Sequence, residues 1–174
     1  MLPETMNVTR YCLLWLVSIG LSSGQTPIAV NVCELFADPS AWNNKLVSLE
    51  GSLTAGGGES EPALSGKYCS VHIEVKGLSF RNVIELTEPG SRFAVHRVSF
   101  EWDRDSRKAY RIAINSIDRH TEHVELTVIG VFETREPLDN LVRNGVRLGF
   151  GHLNESPAQI LAKTVTGIAV RKNQ

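Results

Sequence analysis

Val124-Glu125-Leu126-Thr127-Val128-Ile129-Gly130-Val131-Phe132-Glu133 is the stretch on which the fold turns. Val124, Leu126, Val128, Gly130 and Phe132 alternate with Glu125, Thr127, Ile129 and Val131, the period of two that marks a β-strand. Near the middle both sets are apolar, which predicts a strand covered on both faces. Glu136-Pro137 closes it. Upstream, from Asp103, the period changes. Ala109, Ile112, Ala113 and Ser116 form a helical stripe flanked by Tyr110, Ile114 and Ile117. Arg104, Arg107, Lys108 and Arg111 fall mainly on the other side, so an amphipathic helix of about four turns precedes the strand. Downstream, residues 138–157 are loop-like. Ile160 to Val170 is then the last strand, with Ile160, Ala162, Thr164 and Thr166 opposite Leu161, Val165 and Gly167.

The first half of the chain supplies the remaining elements. Val32 to Ala37 places Val32, Leu35 and Phe36 on one helical face, and Asp38-Pro39 stops that turn. Ser40 to Asn44 continues as a turn, with paired asparagines tolerant of left-handed angles. Lys45 to Thr54 is a strand, with Val47, Leu49, Gly51 and Leu53 facing away from Leu46, Ser48 and Glu50. Ala55 to Ser60, with three consecutive glycines, is a flexible loop; no lysine follows as a phosphate-binding loop requires. Val71 to Val75 alternates as a strand, Asn82 to Thr87 holds another, and Phe93 to Phe100 is a candidate for one more. Short helix, three or four strands, one longer helix and two final strands describe a mixed α/β, mainly β domain. A small five-stranded OB-like barrel suits that order best, and an open α+β sheet covered by the long helix is its rival.

The 174 residues fit one domain, with 42% hydrophobic and 21% charged residues and a net charge of −1. That charge supplies no basic field for nucleic acid or anionic lipid. The start of the chain departs from this average. Arg10 and the amino terminus, partly offset by Glu4, precede an apolar run from Tyr11 to Leu21, and Ser22-Ser23-Gly24 follows. This pattern reads as a signal peptide over 1–24 cut before Gln25, leaving residues 25–174 as a single OB-like domain. The run falls well short of the ~20 residues that span a bilayer, so a retained anchor or a buried helix is the weaker reading. Cys12 opens the apolar run, whereas a lipidated cysteine would close it. Cleavage leaves Cys33 and Cys69. In an oxidising compartment that pair reads as one disulfide, with two buried free thiols as the alternative.

Two phrases carry a resemblance. One is Val32-Cys33-Glu34-Leu35-Phe36-Ala37-Asp38-Pro39 with Trp42-Asn43-Asn44-Lys45-Leu46-Val47 and Gly51. The other is Gly149-Phe150-Gly151-His152-Leu153-Asn154 with Pro157-Ala158-Gln159-Ile160. With the strand at 128–133 they resemble small exported bacterial proteins of uncharacterised function, over most of the mature chain. More loosely they resemble exported OB-like barrels, although Asn44 stands where such strands often carry glycine. The resemblance implies export and a barrel; it implies no activity and no catalytic residue.

Candidate sites are few. Gly149 and Gly151 permit unusual backbone angles and close approach around Phe150, His152 and Asn154. The functional reading is a ligand-contacting loop in which Phe150 offers a stacking surface. A tight turn whose histidine satisfies backbone groups is the plainer one. His120 and His123, with Glu122 between them, have helical metal-ligand spacing but no assignable third ligand, so a solvated helix-to-strand turn is preferred and no metal or cofactor is assigned. Glu50, Glu85 and Glu125 alternate on strands and read as solvated faces. Trp42 and Trp102 read as core or helix-start anchors. No hydrolase elbow and no H-E-x-x-H occurs.

Taken together, these features point to a periplasmic or secreted binding or interaction module without a catalytic motif. Its expected partner is an envelope protein, a glycan or a small polar ligand. Nucleic acid and a stable membrane anchor are not expected, and oligomeric state is left open. The alternative is a hydrolase or metal-dependent enzyme whose site assembles in space around His152.

Overall fold

The computed structural model describes residues 25–54, 62–66, 69, 72–92, 94–96, 98–117 and 122–172, with the backbone alone at 122, 123, 152 and 172. The expected signal segment and the glycine loop lie outside the described residues. In chain order the strands and helices are Ile28–Val30 (β1), Val32–Ala37 (α1), Pro39–Trp42 (α2), Leu46–Thr54 (β2), Ala63–Ser65 (β3), Glu74–Val75 (β4) and Leu78–Ser79 (β5). Val83–Thr87 (β6), Arg104–Ile117 (α3), Glu122–Thr134 (β7), Val142–Arg143 (β8), Val146–Arg147 (β9) and Ala158–Lys172 (β10) complete the set.

Five strands close on themselves in the order β2-β3-β6-β10-β7, because β7 pairs with β10 on one edge and with β2 on the other. The expected five-stranded barrel is thus what the chain forms; the open sheet is not. The β6–β10 pairing is parallel and the other barrel pairings are antiparallel. β1 adds a short parallel strand to the outer edge of β2. Val47, Leu49, Leu64, Ile84, Val124, Val128, Phe132 and Ile160 are each fully buried and fill the interior. Gly130 lets β7 and β10 come together, since a Cβ there would run into the Leu161 carbonyl and the Ile160 side chain.

Closing so few strands requires sharp bending, and β10 achieves it with irregularities between Ala162 and Thr164 and between Thr166 and Ala169. The first of these corrects the expected strand faces. Lys163 is turned out to solvent, and Val165 rejoins Ile160 and Ala162 in the core rather than opposing them. A second correction concerns β7. Its Val124-to-Phe132 set is buried, but Glu125, Thr127, Ile129 and Val131 are only partly covered. The apolar residues on that outer face accompany pairing on both edges, not burial of both faces.

The helices follow from local chemistry. Asn31 and Glu34 form a reciprocal cap at the start of α1, each side chain accepting from the other's backbone N–H at 2.9 Å. Asp38-Pro39 stops α1 as expected but also starts α2, where a simple turn was expected. The Asp38 carboxylate accepts from the Ala41 N–H at 3.1 Å and Pro39 occupies the first helical position. Asn44 does take a left-handed angle, φ 60°. α3 matches the expected helix in place and length, but its buried face is rotated. Ser106, Ala113 and Ile117 are buried with Tyr110 beside them, while Ile112 is 47% exposed. Trp102 anchors the start of α3, its ring 4.8 Å from that of Tyr110 in an edge arrangement.

Two strand assignments change. The second barrel strand is Ala63–Ser65, a three-residue piece to which the sequence reading assigned nothing. The described part of the Val71–Val75 segment instead leads into a small hairpin of β4 and β5, turned by Lys76 and Gly77, both at positive φ. Ile73 and Val75 still bury as the alternation implied. The described part of Phe93–Phe100 is not a strand, because the Val95 and His96 N–H groups donate to a side chain, Glu133, instead of a neighbouring strand. Cys33 of α1 and Cys69 are within disulfide bonding distance, with Cα atoms 5.4 Å apart.

Candidate functional site

The connection from β7 to β10, residues 135–157, returns over the outer face of the parallel β6–β10 pair. Register places Glu85 beside Gln159 and Gln159 beside Glu133, one row across three strands. An outward row of this kind would ordinarily be solvated. Here Glu85, Gln159 and Glu133 are 4%, 1% and 0% exposed, because segments 94–96 and 149–156 roof them. Glu85 therefore departs from the solvated-face expectation, whereas Glu50 is exposed and Glu125 partly so.

Buried polar groups need partners, and each residue of this row makes at least one side-chain hydrogen bond. Glu133 accepts from the Val95 N–H at 3.0 Å, the His96 N–H at 2.6 Å and the Gln159 side-chain amide at 2.7 Å. The His96 Nδ1 is a further 3.0 Å contact on the same carboxylate. Gln159 accepts in turn from the Thr87 hydroxyl at 3.0 Å. The Ser156 hydroxyl donates to Glu85, and the Ser156 backbone bridges to Phe150 in both directions. Each roofing segment is thereby tied to the barrel wall by side chains of the row.

Within the roof, Gly151 has φ 71° and lies directly against the Glu85 carboxylate. Gly149 packs on the Ser156 and Asn154 carbonyls. Both glycines provide the close approach expected of them, and Gly151 alone of the two also has the left-handed backbone. The turn His152–Asn154 then carries Leu153 at φ 61° and Asn154 at φ 54°.

The three expected site residues fare differently. Phe150 is 3% exposed, and its free face is taken by Arg135, whose guanidinium carbon is 5.2 Å from the ring centroid. Its ring carries the Arg135 guanidinium and forms part of a cavity wall. Asn154 is exposed and lines a cavity of about 260 Å³ with Arg92, Arg135, Gly149, Phe150 and Gly151. Of His152 only the backbone is described, in the turn that follows Gly151, and His120 and the His123 side chain likewise lie outside the described residues.

Arg135 is the member of this group that the sequence reading missed. Its Nε donates to the Leu148 carbonyl while its guanidinium lies over the Phe150 ring, so two contacts hold the side chain. Among the described residues no carboxylate pairs with it. A second cavity of about 600 Å³ shares Arg135 and Val95 and reaches Lys76, Asp139 and Arg143. A larger cavity, about 750 Å³, lies elsewhere, on β2 and β7 beside Cys33, and neither Phe150 nor Asn154 lines it. Among the described residues no three of His, Cys, Asp and Glu gather into a metal-binding set, and no helix is long and apolar enough to cross a membrane. No family model, curated protein or solved structure matches this chain.

Proposed function

We propose that the chain is an exported bacterial binding module, periplasmic or secreted, built on an OB-like barrel and holding a small polar ligand in the β7–β10 connection. Barrel order and helix position support the OB-like reading: five strands close, with one helix between the third and the fourth. In barrels of that kind, ligands are met by the connections between the first and second and between the fourth and fifth strands. The β7–β10 connection is the latter. Export is supported by the Cys33–Cys69 pairing and by the signal-like start of the sequence.

One observation carries the binding reading. The cavity flanked by Arg135 and Asn154 lies in a loop braced from below by the buried Glu85–Gln159–Glu133 row. A loop already ordered before binding loses less freedom when a ligand arrives, so such bracing favours recognition. The cavity is small and includes two arginines and an asparagine beside Ala94, Val95 and Phe150, which favours a small polar ligand over the broad apolar contact of a protein partner.

The test is an amide-shift titration of the purified protein against small saccharides, carboxylates, phosphates and amines. Saturable shifts at Gly149, Gly151 and Asn154 are expected for at least one class. Silence at all three amides across the set would remove the reading. Export is tested separately, by expression with the native N-terminus in a secreting host. The expected product begins at Gln25 and has no free thiol; a full-length cytoplasmic product would refute export.

A further inference from the structure

We propose, resting on that binding reading, that the ligand presents a carboxylate or phosphate group and that Arg92 and Arg135 receive it in the 260 Å³ cavity. Arg135 is the stronger indicator. It is half-buried, stacked on Phe150 and tethered through Nε to the Leu148 carbonyl, so its position is set before any ligand binds. Holding a cation partly out of water without an anion is unfavourable, and the usual remedy is a neighbouring carboxylate. Other cations here have one: Lys76 with Asp139 at 3.8 Å, and Arg171 with Glu125 at 3.1 Å.

Glu133 stands two residues from Arg135 but is engaged elsewhere, by Val95, His96 and Gln159. Among the described residues, Arg135 thus faces the cavity wall without an ionic partner. Arg92 lines the same cavity with Asn154, Gly149 and Gly151, and none of the described residues on its wall is a carboxylate. Two guanidinium groups around a small space suit an oxyanion, because each planar fork can donate two parallel hydrogen bonds to it. An amine or a metal cation would be repelled by the same walls.

The test is titration of the full-chain protein with inorganic phosphate, acetate and neutral N-acetylglucosamine, read by amide shifts and calorimetry. Phosphate or acetate should bind at Gly149, Gly151 and Asn154, and the stronger of the two identifies the group. Arg92→Gln should weaken binding about tenfold, the loss of one strong contact. Arg135→Lys keeps the charge but not the fork, and should weaken it comparably, while both variants keep the wild-type amide pattern outside the cavity. Binding of the neutral sugar with no response to either anion would overturn the anion assignment and leave the binding reading intact. Anion binding indifferent to both substitutions would also overturn it. If no compound of any class moves these amides, the binding reading falls as well.

Discussion

Gly151 is where a single residue type decides whether the roof closes over the barrel. Its φ of 71° disfavours any side chain, and a Cβ would press on the Glu85 carboxylate, which the Ser156 hydroxyl holds in place. Gly145 provides a comparison. It has a similar φ of 74°, but a Cβ there meets nothing within 4 Å. Gly145→Ala should therefore cost only the backbone penalty, about 1 kcal/mol. Gly151, at φ 71° and ψ −170°, lies in a region that essentially only glycine adopts, and Gly151→Ala adds overpacking against a buried, hydrogen-bonded group, so it should cost about 1–3 kcal/mol more. Denaturant midpoints of the two variants provide the comparison; equal losses would mean that the Gly151–Glu85 contact has no role in stability. The sequence shows the two glycines around Phe150 but not what they approach. Glu85 and Gln159 are each a polar residue within an apolar run, and that pattern hints at burial. Which partner answers them depends on the parallel β6–β10 register, a contact between residues more than 70 positions apart.

At the scale of elements, legibility followed the length over which a period persists. β7 and α3 run for 13 and 14 residues, so their patterns stand out; β3 has three residues and offers no period to read. The Phe93–Phe100 segment misleads because its apolar residues suit a strand while the Val95 and His96 N–H groups find a carboxylate as their partner. The rotated face of α3 likewise reflects a tertiary contact that hydrophobicity does not display. Ser106, a polar residue, is buried because its hydroxyl donates to Asp103 at 3.1 Å and accepts the Val165 N–H at 3.1 Å, joining the helix start to the bend in β10. Ser106→Ala leaves that strand N–H without its acceptor and should cost about 1–3 kcal/mol by chemical denaturation. The Asp103 carboxyl is held below its ordinary value of 3.8, chiefly by the Ser106 backbone N–H donating to it. A lowered folded-state pKa means that this contribution is present above pH 3.8 and is lost as pH falls through the folded value. Asp103→Asn keeps a capping oxygen and removes the titration, so its stability should fall less steeply than wild type below pH 4. Parallel slopes for the two proteins in that range would contradict the capping account.

For the whole molecule, the barrel closes through strand pairing, but α1 lies outside that closed ring. It precedes β2, and Gly66 fits so tightly between Val32 and Cys69 that no side chain has room there. The Cys33–Cys69 bond fastens this helix to the region after β3 across a sequence separation of 36. By loop-closure entropy such a link contributes about 3–4 kcal/mol, mainly by restricting the unfolded chain. Against the 5–15 kcal/mol typical of a domain this is a large share, and it ties stability to an oxidising environment. The Cys33→Ser, Cys69→Ser double variant should accordingly lose about 3–4 kcal/mol in urea. The barrel itself should persist, since the β2–β7 and β7–β10 pairings do not pass through either cysteine. Wild type unfolded in the presence of reductant should coincide with the double variant, because both then have the same unconstrained unfolded chain. A variant as stable as oxidised wild type would mean that the two thiols do not form the staple, and the structural support for an oxidising compartment would disappear with it.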